Sequence, residues 1–360
     1  MSPQPLGVAV AGLGFGEKVH LPALAAAPDL EAVALWHPRQ ERLDAATAAH
    51  GLKGFSDWDA LLADPAVDAV IIATPPAPRF DLARRALEAG KHLLLEKPIA
   101  LHADQARELQ RLALARGLSV AVDYEYRAVP LFMQAARLLQ AGAVGTPWLV
   151  KLDWLMGSRA DPQRGWNWYA QADQGGGVIG ALGTHAMDML AWLIGPLGAV
   201  QALNSVSIKQ RPHPDGGLAA VDAPDVSLLQ TVAHWQGRQD LPVPAQVSLS
   251  SVSRNGRGFC LDVVGSSGSL LLSSTNQKDY VHGFELQHAP LGEPFRAVEA
   301  DADFAFPETW SDGRIAPVAR VLGWWAESIR SGQPMLPGLA EGVASRVACD
   351  QAAGGTLDLA

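Results

Sequence analysis

The chain has 360 residues, of which 48% are hydrophobic and 18% are charged, and its net charge is −9. This composition is typical of a globular protein with room for two domains, and the negative charge disfavours binding to nucleic acid or to an anionic membrane. No apolar run reaches the roughly 18 residues of a membrane span, and the N-terminus lacks a signal-peptide pattern. Because Cys260 and Cys349 lie far apart, we expect reduced cysteines, no metal site and a cytoplasmic protein.

The first third of the chain alternates strand-like and helix-like segments. Strands are predicted at Leu6–Ala11, Leu30–Trp36, Ala66–Ala73, His92–Leu95 and Leu118–Val122, and helices at Lys18–Ala26, Gln40–His50, Arg79–Ala89 and Ala103–Arg116. Alternation of this kind predicts βαβ units, and the nearly continuous apolar strands indicate a parallel sheet that is covered on both faces.

The pattern changes after Asp123. Helices are predicted at Pro130–Gln140, Gly177–Ile194, Ala316–Arg330 and Leu339–Ala352, with a strand at Trp148–Trp154. Between Val200 and Leu272, alternating strands follow one another without helices between them, which is typical of an antiparallel sheet. The sequence therefore predicts an α/β protein with a first domain at residues 1–123 and an α+β domain at residues 124–360.

A glycine-rich stretch joins the first strand to the first helix. Gly12, Gly14 and Gly16 surround Phe15 in the sequence VAVAGLGFGEKVHLPAL. A dinucleotide phosphate needs a tight turn, close backbone approach and a helix N-terminus, and Gly12 and Gly14 can supply the first two. The third glycine of the common G-x-G-x-x-G spacing would fall at Glu17, so Gly16 comes one position early. The strand–turn–helix context nevertheless predicts a dinucleotide site rather than a plain tight turn.

The end of the second predicted strand indicates which dinucleotide is preferred. An acidic residue there would bind the 2′-hydroxyl of NAD, whereas arginine would favour the 2′-phosphate of NADP. The segment LWHPRQER has no acid at the strand end, and His37, Arg39 and Arg42 follow it. We predict NADP, with NAD as the alternative; the segment could also be a solvated first helical turn.

Several motifs together resemble one family of enzymes. They are the glycine loop running into HLPAL, ATPP at Ala73–Pro76, EKP at Glu96–Pro98, YR at Tyr126–Arg127 and GGGVIGALGTHAMD at Gly175–Asp188. This combination resembles the family of glucose–fructose oxidoreductase, inositol 2-dehydrogenase and the rhizopine-catabolism protein MocA. The resemblance covers essentially the whole chain. It implies an N-terminal Rossmann domain and a C-terminal domain for substrate binding and oligomerisation, built on an open, mostly antiparallel sheet.

The resemblance also assigns residues at the strand ends. It implies that Thr74 and Pro75 contact the cofactor and that a cis peptide precedes Pro98, which would turn Lys97 toward the nicotinamide. Glu96, included with Lys97 among the cofactor-site residues, would bond the backbone or a neighbouring cation. The alternative for Lys97 is a solvated lysine in a loop.

A second group of candidates follows the triple glycine. Ala181, His185 and Asp188 have the i, i+4, i+7 spacing of one helix face. The resemblance implies that His185 is catalytic, whereas a histidine among Leu, Met and Trp is otherwise a core residue. Many relatives have aspartate where this chain has Ala181. We therefore include Asp188 among the catalytic candidates, because it lies one turn beyond His185; its alternative role is to hold the helix in place.

Aromatic side chains precede this helix at Trp154, Trp166, Trp168 and Tyr169. Their rings could stack on a sugar or cyclitol, and packing is the alternative. We list Trp166 and Trp168 as substrate-binding candidates, together with Tyr126 and Arg127 of the YR motif.

These inferences predict an NAD(P)-dependent oxidoreductase that transfers hydride between nicotinamide and a sugar, polyol or cyclitol. In this scheme His185 exchanges the hydroxyl proton and Lys97 stabilises the substrate oxygen. Two alternatives use the same scaffold, a non-catalytic sensor that binds NAD(P) and sugar and a glycosidase that works through transient oxidation by NAD. The expected partners are a small sugar-like substrate and a second copy of the chain, as a homodimer or homotetramer formed through the C-terminal sheet.

Overall fold

Residues 4–354 are described by a computed structural model, and they divide into two units. The first unit contains the chain up to Ala128 together with Glu308–Val343. The second contains Val129–Pro307 and the chain from Ala344 onward.

The first unit is built on a sheet of six parallel strands. They are β1 (Leu6–Ala11), β2 (Leu30–Trp36), β3 (Lys53–Phe55), β4 (Ala69–Ile72), β5 (His92–Leu95) and β6 (Val120–Val122). Their order in the sheet is β3-β2-β1-β4-β5-β6, and every neighbouring pair is parallel. Of the two central strands, β4 is buried along its whole length and β1 along all but its first residue, because apolar side chains on alternate positions enter two separate cores.

Five helices connect these strands. They are α1 (Leu21–Ala25), α2 (Gln40–His50), α3 (Trp58–Leu62), α4 (Pro76–Glu88) and α5 (Ala103–Arg116). A single π-helical turn, Gly16–His20, leads into α1. Gly51 and Gly117 end α2 and α5 in the left-handed conformation that glycine adopts without strain.

The second unit contains an eight-stranded mixed sheet. Its strands are β7 (Pro147–Leu155), β8 (Gln201–Ser205), β11 (Val226–His234), β12 (Pro242–Ser250), β13 (Gly258–Gly265), β14 (Gly268–Ser274), β15 (Glu285–Pro290) and β16 (Arg296–Ala297), while β9 (Gln210–Pro212) and β10 (Leu218–Ala220) form a separate hairpin. The order is β16-β15-β14-β13-β7-β12-β11-β8, and β7 with β12 is the parallel pair in an otherwise antiparallel sheet.

Four further α-helices lie in the described part of the chain. They are α6 (Pro130–Gln140), α7 (Thr184–Leu193), α8 (Ile315–Ser331) and α9 (Leu339–Gly354). The apolar face of α8, including Val318, Leu322 and Trp325, joins one core of the parallel sheet. This explains why Glu308–Val343 folds with the first unit, which a single division after residue 123 does not capture.

The predicted fold class is confirmed, and β2, α2, β5, α5 and α6 have the predicted bounds. The sequence did not predict β3 or α3, because a three-residue strand and a single helical turn are too short to show a periodicity. Among the described residues, no helix is both long and apolar enough to cross a bilayer.

Candidate active site

Three loops of the first unit meet at one edge of the parallel sheet. They follow β1, β4 and β5, which are neighbours in that order, and the carboxyl ends of parallel strands lie at the same edge. The loops contain Gly12–Gly16, Thr74–Pro75 and Glu96–Lys97. This edge therefore brings together three groups of residues that the sequence assigns to the cofactor site.

Each glycine of the first loop meets a different constraint. Gly12 has φ +99°, and a Cβ there would lie 2.7 Å from the carbonyl carbon of Ala73. At Gly16 a Cβ would lie 2.9 Å from Val10 Cγ1, whereas at Gly14 it would meet nothing within 4 Å. Gly12 and Gly16 thus permit close packing, and Gly14 leaves open space beside the loop backbone. Such a cradle fits a phosphate group that approaches main-chain N–H groups.

The neighbouring side chains contribute one polar atom and one aromatic ring. Thr74 is buried, and its hydroxyl has no hydrogen-bond partner among the described residues. The ring of Phe15 is half-buried, with its centroid 5.3 Å from that of His20 and 5.2 Å from the guanidinium carbon of Arg314. Pro75 is exposed and directly precedes α4. The Thr74 hydroxyl is therefore a polar group that a bound dinucleotide could satisfy.

Basic side chains surround the start of α2. Arg39 is its N-cap residue, no side chain caps this end, and both Arg39 and Arg42 are exposed. The Nδ1 of His37 accepts a hydrogen bond from the Arg39 N–H at 3.0 Å. Burial lowers the pKa of His37, and the charges of Arg39 and Arg42 lower it further. The result is a neutral imidazole beside two cations at a helix N-terminus, an arrangement that suits an anion.

The turn that carries Lys97 is held by a buried arginine. The Lys97–Pro98 peptide is cis, as the resemblance implies, and Lys97 itself is partly exposed. From α4, Arg79 donates to the carbonyl of Glu96 at 2.7 Å and also to the carbonyls of Pro98 and Thr74. Its pKa is lowered to about 10 by burial, against the opposing charge of Glu96, so the guanidinium stays charged at neutral pH. Arg79 therefore fixes the main chain on both sides of Lys97.

The carboxylate of Glu96 is bonded within the unit. Its Oε1 lies 3.0 Å from Nε2 of His20, and both side chains are buried. Burial alone would raise the pKa of Glu96, but His20, Lys97 and Arg79 lower it to about 2. The Glu96 carboxylate thus bonds a histidine of its own unit, and its predicted contact with the cofactor remains a prediction.

The sequence did not identify His20, Arg79 or Asp123 as site residues. His20 is the histidine of HLPAL, a motif that was used for the resemblance without a role for this residue. Asp123 directly follows β6, and Arg79 lies near the start of α4. A polar residue next to a buried strand end was an available signal, but no local periodicity indicates which side chains converge there.

In the second unit, His185 and Asp188 lie on the buried α7. Both are 3% exposed, and the centroid of the His185 ring is 6.1 Å from that of Trp154. Ala181 lies outside α7, in a π-helical turn at Ile179–Gly183. The predicted face of Ala181, His185 and Asp188 assumed a regular α-helix throughout, and the wider turn changes the position of Ala181 relative to the other two. The i, i+3 relationship of His185 and Asp188 is retained.

The triple glycine packs against backbone of its own unit. A Cβ at Gly176 would lie 2.5 Å from the Tyr169 carbonyl oxygen, and one at Gly177, where φ is +75°, would lie 2.6 Å from that of Pro224. These contacts identify packing of the loop against its neighbours as the reason for the glycines.

The aromatic candidates differ in their surroundings. The indole N–H of Trp166 donates to the Ala220 carbonyl at 2.8 Å, and its ring packs on His213. Trp168 meets Tyr169 edge to face. Trp154 is buried against Phe259 and His185, as expected of a packing residue.

The two residues of the YR motif belong to the first unit. Tyr126 is buried and Arg127 is half-buried on a 3₁₀ turn, Glu125–Ala128. The predicted roles of Tyr126, Arg127, Trp166 and Trp168 in substrate binding remain predictions.

Comparison with known proteins supports this description. Two family profiles match, "Oxidoreductase family, NAD-binding Rossmann fold" over residues 6–124 and "Oxidoreductase family, C-terminal alpha/beta domain" over residues 136–353. An uncharacterized oxidoreductase of Synechocystis sp. is 42% identical over 349 residues, covering 96% of this chain and 92% of that protein. Levoglucosan dehydrogenase of Pseudarthrobacter phenanthrenivorans is 31% identical over 228 residues, covering 61% of this chain and 58% of that protein.

A solved structure of levoglucosan dehydrogenase in complex with NADH and levoglucosan has a TM-score of 0.84 and 25% identity, covering 98% of this chain and 97% of that chain. The motifs, the two-part fold and both profile matches agree. The chain belongs to the oxidoreductase family of glucose–fructose oxidoreductase, inositol dehydrogenase and MocA, and it is an enzyme with an NAD-binding Rossmann domain.

Proposed function

We propose that this enzyme oxidises or reduces a sugar, polyol or cyclitol at a secondary hydroxyl or carbonyl group with NADP as its preferred cofactor. The observation that carries the proposal is the meeting of the glycine loop, Thr74 and Lys97 at the edge formed by β1, β4 and β5. The sugar-like substrate is supported by the relatives named levoglucosan dehydrogenase and D-glucoside 3-dehydrogenase.

The cofactor would be held by the first unit. Main-chain N–H groups near Gly14 and the Thr74 hydroxyl would bind the dinucleotide, with Phe15 and Pro75 flanking it. Arg39 and Arg42 would bind the 2′-phosphate at the start of α2, and His37 supports this end of the helix by accepting from the Arg39 N–H. When bound, the nicotinamide supplies hydride transfer to or from a carbon atom.

Lys97 and His185 would act on the oxygen of the reacting carbon. The Lys97 ammonium would donate a hydrogen bond to this oxygen and stabilise negative charge on it. His185 would remove the hydroxyl proton during oxidation and return it during reduction. Asp188, one turn away on α7, would hold the imidazole in one orientation or bind a neighbouring substrate hydroxyl.

The reaction is tested with a panel of sugars, polyols and cyclitols, each assayed with NADP and with NAD at the absorbance of the reduced nicotinamide. We expect turnover with at least one member of the panel and a higher kcat/KM with NADP. Binding of both cofactors without turnover of any substrate would favour the sensor alternative for this chain.

The oligomer is proposed to form through the exposed face of the eight-stranded sheet. Val232 pairs with Pro244 and Leu149 pairs with Val264, which gives an apolar row across β11, β12, β7 and β13. Leu149, Val232 and Val264 are 39%, 37% and 37% exposed. Because large apolar faces rarely stay uncovered in water, we propose that a second copy covers this one.

This interface is tested by light scattering coupled to gel filtration. Val232→Lys combined with Val264→Lys should shift the protein to a smaller species. Leu114→Lys, at an exposed leucine on α5, serves as the control and should leave the mass unchanged. A monomeric unsubstituted protein would contradict the proposal.

A further inference from the structure

Three titratable side chains are buried together at the carboxyl ends of β5 and β6. They are His20 from the π-helical turn, Glu96 after β5 and Asp123 after β6. The Nε2 of His20 lies 3.0 Å from Glu96 Oε1 and 3.6 Å from Asp123 Oδ2. His20 and Asp123 are 0% exposed, so neither group exchanges hydrogen bonds with bulk water.

The cluster contains fewer donors than an ionised pair of carboxylates requires. The single Nε2 proton of His20 is used by the shorter contact with Glu96. Among the described residues, neither oxygen of Asp123 has a hydrogen-bond partner. A fully buried carboxylate without a donor carries a desolvation penalty of several kcal/mol, and a protonated carboxyl group avoids it.

The surrounding charges act in the same direction. Burial raises the pKa of Asp123 well above its usual range, and the negative charges of Glu96 and Glu125 raise it further, while Lys97 opposes them. Glu96, by contrast, faces His20, Lys97 and Arg79, and its pKa is lowered to about 2. Two neighbouring carboxyl groups whose pKa values are moved apart share one proton at neutral pH.

A divalent cation is the other occupant that these residue types allow, since their ligand atoms lie within 4.8 Å of one another. The charges disfavour it. Lys97 and Arg79 already place positive charge near Glu96. A metal would also need an unprotonated Nε2, whereas the hydrogen bond from His20 to Glu96 requires a proton on that nitrogen. A proton adds one positive charge to the two carboxyl groups, whereas a divalent cation would add two.

We propose that Asp123 holds this proton and donates it to Glu96, and that the His20–Glu96–Asp123 cluster is a positioning unit for Lys97. Glu96 is then fixed in two ways. Its carboxylate accepts from His20 and Asp123, and its carbonyl accepts from Arg79, which also binds the carbonyl of Pro98.

The consequence for Lys97 follows from its position between these two anchored residues. Its main chain cannot move without breaking bonds made by buried groups, and an ionised Glu96 supplies a fixed negative charge next to the ammonium. This part of the inference rests on the proposed catalytic role of Lys97, whereas the location of the proton does not.

The proton is tested by infrared difference spectroscopy of the full-length protein in heavy water at neutral pH. We expect a band of a protonated carboxylic acid that disappears in Asp123→Asn and persists in Asp104→Asn, which removes an exposed carboxylate on α5. A band that is absent, or that survives Asp123→Asn, would overturn the assignment whether or not the enzyme is active. Stoichiometric Zn²⁺, Mn²⁺ or Fe in the purified protein, lost in Asp123→Asn, would overturn it as well.

The positioning role is tested by separating kcat from cofactor binding. Glu96→Gln keeps the shape but removes the charge, and we expect it to lower kcat at least tenfold while the Kd for NADP changes less than threefold. Asp123→Asn keeps a donor toward Glu96, so it should retain most of kcat, whereas Asp123→Leu should resemble Glu96→Gln. Equal losses in Asp123→Asn and Asp123→Leu would contradict donation by Asp123. If unsubstituted protein shows no turnover, the proposed function has failed, and the infrared result alone decides the location of the proton.

Discussion

Gly12 and Ala73 approach each other so closely that a side chain at position 12 would collide with the main chain after β4. An added Cβ would lie 2.7 Å from both the carbonyl carbon and the carbonyl oxygen of Ala73. Since φ at Gly12 is +99°, a larger residue would also be strained in its own backbone. The glycine therefore stabilises the junction of two loops at the candidate cofactor site.

This contact distinguishes two substitutions in one loop. Gly12→Ala should lower the free energy of unfolding by about 1–3 kcal/mol or more, because strain and collision act together. Gly14→Ala should leave the free energy of unfolding nearly unchanged, because a Cβ there meets no atom within 4 Å, yet it should weaken cofactor binding by occupying the cradle. Chemical denaturation and cofactor titration measure the two effects. Equal destabilisation by both substitutions would contradict the distinction.

The basic residues at the start of α2 make a prediction about cofactor choice. Arg39→Ala should weaken NADP binding about tenfold, which corresponds to about 1.4 kcal/mol, and should change NAD binding little. Arg42→Ala should act in the same direction. Arg107→Ala on α5 is the matched control, because Arg107 is exposed and pairs with Asp104. Calorimetric titration would show the assignment to be wrong if NAD binds the unsubstituted protein more tightly and Arg39→Ala leaves NADP binding unaffected.

Lys97 should affect turnover more than binding. We expect Lys97→Ala to lower kcat by about 10²–10⁴ through loss of a charge-stabilising donor, with cofactor affinity retained. Lys209→Ala, at an exposed lysine of the second unit, controls for the general loss of one positive charge. Steady-state kinetics and cofactor titration on the same preparations provide the measurement. Unchanged kcat in Lys97→Ala would remove Lys97 from the mechanism.

Glu96 and Asp123 should have opposite effects on stability as pH changes. The pKa of Glu96 is lowered to about 2, so its ionised form stabilises the fold above its ordinary pKa of about 4.3, and this contribution is lost as pH falls toward about 2. The pKa of Asp123 is raised, so its protonated form stabilises the fold at low pH, and this contribution is lost as pH rises from about 3.9 through the raised value.

Denaturation as a function of pH tests both signs. At neutral pH Glu96→Gln should lower the free energy of unfolding, by up to about 3 kcal/mol, and the difference should shrink as pH falls below about 4. Asp123→Asn should be neutral or stabilising at neutral pH and should flatten the dependence on pH. A destabilising Asp123→Asn whose effect grows as pH rises would contradict the assignment of the proton, because it would show that ionised Asp123 stabilises the fold.

The sequence predicts the parallel sheet well because its signals are local. The run AVDAVIIA is apolar except for Asp68, the segment HLLL has three leucines after His92, and Gly51 and Gly117 end helices where expected. The contribution of α8 to the first unit is not local. Its residues lie about two hundred positions beyond β6, and an amphipathic pattern indicates that a helix buries one face without identifying the surface that it covers.

The same distinction applies to the site. Lys97 and His185 were identified because their motifs are contiguous in sequence. The residues around Glu96 were not identified. His20 lies 76 residues before it and Asp123 lies 27 residues after it, and only the strand order brings the three together. The π turn at Ile179–Gly183 was also missed, since no sequence period indicated that Ala181 leaves the α-helical register.

His185 and Asp188 give the last prediction. Both lie in the regular part of α7 and are 3% exposed, and side chains at i and i+3 are neighbours on a helix. A histidine that exchanges a proton benefits from a partner that fixes its tautomer and orientation, and position 181, on the other side of His185 in sequence, is alanine and offers no carboxylate. We expect Asp188→Asn, which keeps the shape and removes the charge, to lower kcat/KM at least tenfold with little change in Tm. Asp173→Asn, at an exposed acid before the same helix, should change neither. A fall in activity that is matched by a fall in Tm would make Asp188 a structural residue and leave His185 to act without a carboxylate on its own helix.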